Sequence, residues 1–193
     1  MNKISNLILK NEWHTIVNQY QPKILAESLP FKEGRNLVYK MLFNEERDDS
    51  LRDYATELLQ EIRQTHFGEW SSDWKNDVFL GDACYMTMKY DERYEAYKRA
   101  YEKATPPPPS LLISLAGCYL LPKPPITLDE AENLAKKALE KEISIEGVVL
   151  LRGIYAEKKD QAKFDYWDKV LKEVEEKNIH TQDAWPDFSD IHC

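Results

Sequence analysis

The sequence predicts an all-α protein made of stacked helix pairs, and three observations carry that prediction. Leu, Ala, Glu and Lys dominate a chain of 193 residues that is 42% hydrophobic and 31% charged. Those are helix formers with enough apolar mass for a core. Only six glycines occur, few for a nucleotide-binding or β-rich fold. Beyond residue 72, features recur at a nearly fixed offset, the mark of stacked supersecondary units.

The first third reads as helices of irregular length. Asn11 is placed to cap a segment carrying Trp13, Ile16, Val17 and Tyr20, whose spacing makes one apolar stripe. Pro22 starts the next helix, because proline suits a first turn and disrupts an interior. Leu37, Val38, Met41, Leu42 and Phe43 form a second stripe, which the acidic "NEERDD" ends. Ser50 with Asp53 resembles a capping box for a helix through Leu51, Tyr54, Ala55, Leu58, Leu59 and Ile62. "THFGEWSSDW" reads as a linker.

Cys84-Tyr85 in "LGDACYM" is followed 34 residues later by Cys118-Tyr119 in "LAGCYLL". Tyr97, Tyr101 and Ala104 are followed at the same offset by Ala131, Ala135 and Ala138. In "LLRGIYAEKK", Gly153 and Tyr155 stand 36 residues after Gly117 and Tyr119. Each unit pairs a helix with a Leu-small-aromatic core with a second helix carrying small residues at four- and three-residue spacing. "KYDER" and "PKPPIT" read as the turns, and "TPPPPS" as a stiff spacer between units rather than a ligand for a proline-reading domain. Thr127 with Glu130, and then Ser144, supply N-caps. Ala131, Ala135 and Ala138 share one face, so a neighbouring helix can approach closely while Leu115 and Tyr119 fill the groove.

On these residues the chain resembles the tetratricopeptide repeats. "LGDACY" and "SLAGCY" match the family's first helix and "AENLAKKALE" its second, within residues 75–142. Residues 145–177 look like a degenerate third copy, ending in a helix with Phe164, Trp167, Val170, Leu171 and Val174. The resemblance implies a right-handed superhelix of antiparallel helix pairs, a TPR-like α-solenoid, that binds another protein on a concave surface lined by the first helices. It divides the chain into a helical region over 1–66, itself a candidate for divergent repeats, repeats over 72–178 and a tail over 179–193, in one continuous domain. Departures are the long loops, Tyr97 and Tyr101 at positions usually small, and Arg152 where a small residue would pack. The family's carboxylate clamp needs Lys and Asn on the first helices; Phe79, Ala83, Met86, Thr87, Ile113, Gly117, Leu120 and Leu121 stand there instead. A clamp co-chaperone is therefore not expected.

Catalytic signatures are missing, and the expected protein is not an enzyme. No phosphate-binding glycine loop, nucleophile elbow or H-E-x-x-H occurs, so neither cofactor nor metal is expected. His180, Asp190, His192 and Cys193 share the tail but read as a place for a stray zinc ion at most. Cys84 and Cys118 read as buried inert thiols. Carboxylate pairs such as Glu45-Glu46, Asp48-Asp49, Asp129-Glu130 and Glu175-Glu176 read as solvated faces or first-turn residues. With 26 basic against 34 acidic residues the formal charge is −8, which disfavours nucleic acid and anionic membranes and suits a basic protein partner. The apolar run Leu7–Leu9 is too short for a signal peptide, no window reaches a membrane span, and three cysteines without C-x-x-C suggest a cytoplasmic protein.

The expected function is occupancy: an immunity-type inhibitor that covers a basic toxin or effector, or alternatively a cytoplasmic chaperone or adaptor for a secreted or regulatory protein. Candidate partner-binding residues are Phe79, Met86, Thr87, Ile113, Leu120 and Glu146, with Trp185 and Phe188 of the acidic "TQDAWPDFSDIHC". Those two rings are expected to cover the open end of the stack, the alternative being insertion into a partner. Oligomeric state is not readable from the sequence.

Overall fold

Straight-chain helix formers between proline and acidic breakers give helix after helix. A computed structural model describes residues 3–44 and 48–188. Among them the regular elements are α1 (Lys3–Leu9), α2 (Trp13–Gln19), α3 (Pro22–Ser28), α4 (Phe31–Leu42), α5 (Asp49–Thr65), α6 (Phe67–Ser71), α7 (Lys75–Met86), α8 (Tyr90–Lys103), α9 (Pro109–Ala116), a 3-10 turn Gly117–Leu120, α10 (Leu128–Lys141), α11 (Ile145–Glu157) and α12 (Gln161–Glu176). No strand occurs among the described residues, so the all-α class holds. The chain falls into two compact units, Met1–Arg93 with Pro186–Cys193, and Tyr94–Trp185. The first of the three repeat-like segments therefore runs across the division, which cuts α8 after Arg93.

In the first unit, α5 is the central rod, with α3 and α4 packed along it and α7 beside it. The stripe read from sequence is its buried face: Leu51, Tyr54, Ala55, Leu58, Leu59 and Ile62 are all buried. Gly34 of α4 lies so close to α5 that a Cβ there would meet Ile62 Cδ1 at 2.9 Å. "THFGEWSSDW" is not a linker. Most of it continues α5 or forms α6, whose Trp70 is buried. The reason is polar as well as apolar: the Trp70 indole N–H donates to buried Asp77 at 3.1 Å, and Asn76 Nδ2 donates to the Trp70 carbonyl at 3.1 Å.

The second unit is built on two helix hairpins, α9 with α10 and α11 with α12, joined by packing of α10 on α11. Ala131, Ala135 and Ala138 are each 0% exposed, so the alanine stripe is a packing face. Around Ala131 and Ala135 lie Tyr119, Val148, Leu151, Ile154, Tyr155, Leu171 and Val174, with Phe164, Trp167 and Val170 against the edge. Gly147 shows how closely the helices pass: a Cβ would stand 2.6 Å from Leu139 Cδ2 and 3.3 Å from Ile113 Cδ1.

Some helix ends match the sequence reading and others do not. Thr127 Oγ1 accepts from the Glu130 N–H at 3.2 Å while the Glu130 carboxylate accepts from the Thr127 N–H at 2.7 Å, a complete capping box. Ser144 caps α11, accepting from the Gly147 N–H at 3.3 Å. For α5 the cap is Asp48, not Ser50; Asp48 accepts from the Ser50 N–H at 2.8 Å, because a carboxylate two residues earlier meets the dipole directly. Asn11 does not cap α2, which starts after Glu12 without a side-chain cap. Asn11 instead takes φ 54° and closes α1. "KYDER" lies largely inside α8, and the proline run ends by opening α9 at Pro109.

Candidate protein-binding surface

The first helices of the two hairpins carry the outward face of the second unit. On α9 and the 3-10 turn after it, Ile113, Ser114 and Gly117 are half-buried and Leu120 is 62% exposed. On α11, the outward positions are Glu146, Val149, Arg152, Gly153 and Ala156, with Val149 43% exposed. The offset of 36 residues that relates Gly117 to Gly153 also relates Ile113 to Val149 and Leu120 to Ala156. A Cβ at Gly153 would lie 3.3 Å from the Tyr119 hydroxyl, so small residues keep this face low where the first helices meet. The result is a surface of apolar and small side chains.

Charges beside it are already engaged. Arg152 Nη1 donates to Asp168 at 2.9 Å and its guanidinium stands 5.6 Å from the Phe164 ring centre, so it lies along α12 rather than in a packing gap. Glu146, a candidate binding residue, holds the start of the tail. Its carboxylate accepts from His180 Nδ1–H at 2.6 Å and from the Thr181 N–H at 3.1 Å, while the Ile145 N–H donates to the Ile179 carbonyl at 2.9 Å. Burial pushes the Glu146 carboxyl up, but those hydrogen bonds outweigh it and hold the group below the ordinary carboxylate range.

A polar cluster that sequence reading missed ties α10 to α11. Glu132 accepts from Tyr155 Oη at 2.6 Å and pairs with Lys136 at 2.5 Å and with Lys158, which also reaches Asp129. Burial works against the Glu132 charge, yet the hydrogen bonds from Lys136, Lys158 and Tyr155 hold its pKa at about 2. A carboxylate held this firmly ionised is a poor proton donor or acceptor near neutrality, so the cluster is a clamp rather than acid–base machinery. The only signal in the sequence was the spacing of Asp129, Glu132 and Lys136 along one helix.

The remaining candidates lie in the first unit, except Trp185, which is half-buried in the second. Phe79 is buried in α7 and unavailable as a surface contact. Met86 is half-buried, and Thr87 donates back to the Ala83 carbonyl at 3.0 Å. Phe188 returns to this unit, its ring 4.5 Å from Tyr39 and 5.0 Å from Phe79 between centres. It thus packs on α4 and α7, where sequence reading had it covering the last repeat. Cys84 and Cys118 are both buried. Glu45, Glu46, Asp190, His192 and Cys193 lie outside the described residues.

Among the described residues no group of three or more His, Cys, Asp and Glu is placed to hold a metal ion, and no helix is long and apolar enough to cross a membrane. No family model matches the chain, and no curated protein is significantly similar to it.

Proposed function

We propose that this is a TPR-like helical-repeat protein that acts by occupancy, as an immunity-type inhibitor covering a basic toxin or effector. One observation carries the reading: α9 with its 3-10 turn and α11 leave apolar side chains outward, with Leu120 and Val149 exposed. Side chains of this kind form the dry centre of protein interfaces, and the net charge of −8 would steer a basic partner toward it. Catalysis plays no part in the role, and the resemblance to tetratricopeptide repeats supports a right-handed superhelical arrangement of the pairs. The surface needs no cofactor.

Purification of the tagged chain from its native host at low and high salt tests this. A one-to-one complex with a basic enzyme, formed faster at low salt and silencing that enzyme, is the expected result. Turnover of a substrate by the purified chain alone would refute it. The exposed Leu120 and Val149 also favour a second reading, a chaperone or adaptor for an extended apolar segment. Capture of unfolded clients with no dependence on salt would select that one.

A further inference from the structure

The first unit contains a preformed aromatic slot that the proposed inhibitor role does not use. Arg35 is buried on α4, and its Nη1 donates to Asn76 Oδ1 of α7 at 3.0 Å. That bond ties the guanidinium to α7. The guanidinium carbon stands 5.5 Å from the ring centre of Phe31 and 5.1 Å from that of Phe188. Tyr39 and Phe79 form the wall that receives the Phe188 ring. Arg35 Nη2 also donates to the Asp187 carbonyl at 3.2 Å. Among the described residues no helix follows Glu176, so Asp187 and Phe188 meet the slot as non-helical chain.

We propose that this slot is a peptide-recognition site for an aromatic side chain on an extended acidic segment, with Asp187-Phe188 as its resident ligand in cis. The chemistry divides between two groups. The aromatic wall takes the ring, and the guanidinium covers the ring's other face while it binds the preceding carbonyl. Asp187, whose charge acts on Arg35, suits a site whose buried group is a cation. A tethered ligand acts at an effective concentration on the order of mM, so a free peptide of the same kind is shut out until the tail leaves.

The test uses the full-length chain with Phe188→Ala and a synthetic amidated peptide, Thr181–Phe188, carrying an N-terminal fluorophore. Anisotropy should show the peptide binding the variant about tenfold or more tightly than the wild-type chain, whose slot is filled. The same peptide with Phe188→Ala should lose that binding. Adding Arg35→Lys to the variant should weaken it, since an ammonium keeps the charge but not the plane. Equal binding to both proteins, or none to the variant, would overturn the proposal. So would a Phe188→Ala chain without wild-type helical circular dichroism, because the tail would then be core and not ligand.

Discussion

Glu132 illustrates how one side chain couples two helices through charge. Its pKa falls from an ordinary 4.5 to about 2 in the folded chain. A carboxyl depressed by folding adds stability that is complete above its unfolded pKa and disappears as pH falls through the folded value. The side chain is only 12% exposed, so the effect is felt, up to about 3 kcal/mol. Glu132→Gln should therefore lower stability near neutral pH, and its difference from wild type should shrink between about pH 4.5 and 2 in urea titrations. A gap of constant size across that window would show that packing, not charge, is responsible. Gly147 makes the corresponding point for packing. Alanine is the better helix former, yet its Cβ would stand 2.6 Å from Leu139 Cδ2 and 3.1 Å from its Cγ. Leu139 is buried and has little room to turn. Overpacking outweighs propensity, and Gly147→Ala should cost about 1 kcal/mol in urea unfolding.

Helix ends explain which elements the sequence disclosed. Starts were legible at Thr127 and Ser144, whose side-chain oxygens cap the helices that follow, but not at α5, where Asp48 caps in place of Ser50. Thr127→Ala should lower the unfolding free energy by about 1 kcal/mol, with thermal melts as the readout. Stops were not legible, for a physical reason. Four helices, α1, α7, α11 and α12, end with a left-handed residue at Asn11, Met88, Lys159 and Asn178, none of them glycine. Each closes with the same two bonds; at α11 the Asp160 N–H donates to the Tyr155 carbonyl at 3.0 Å and the Lys159 N–H to the Ala156 carbonyl at 3.1 Å. Methionine and lysine do not announce such a turn, so "KYDER" was read as loop when α8 already begins at Tyr90. Lys159→Gly removes the Cβ penalty at φ 56° and should raise stability by about 0.5–1 kcal/mol. A destabilised variant would mean that the lysine chain supports the turn in some other way.

At the scale of the molecule, helical stripes were readable in both units and packing between distant segments was not. The alanine face, the Gly117–Gly153 register and the α12 stripe all appear in the second unit as packing, because helical spacing is a local property of sequence. The return of Phe188 to Tyr39 of α4 and Phe79 of α7 depends on contacts between residues far apart in the chain, which no local pattern encodes. The partners of Glu146, His180 and Thr181, are unreadable for the same reason, since they belong to a segment without periodicity. The surface reading rests on Leu120 and Val149, exposed apolar side chains on the 3-10 turn after α9 and on α11. The most direct test is to titrate the basic enzyme captured from the host with wild-type chain and with the Leu120→Asp, Val149→Asp double variant. Inhibition should saturate at one to one for wild type and weaken about a hundredfold for a variant that melts like wild type. Equal inhibition by both would contradict the account.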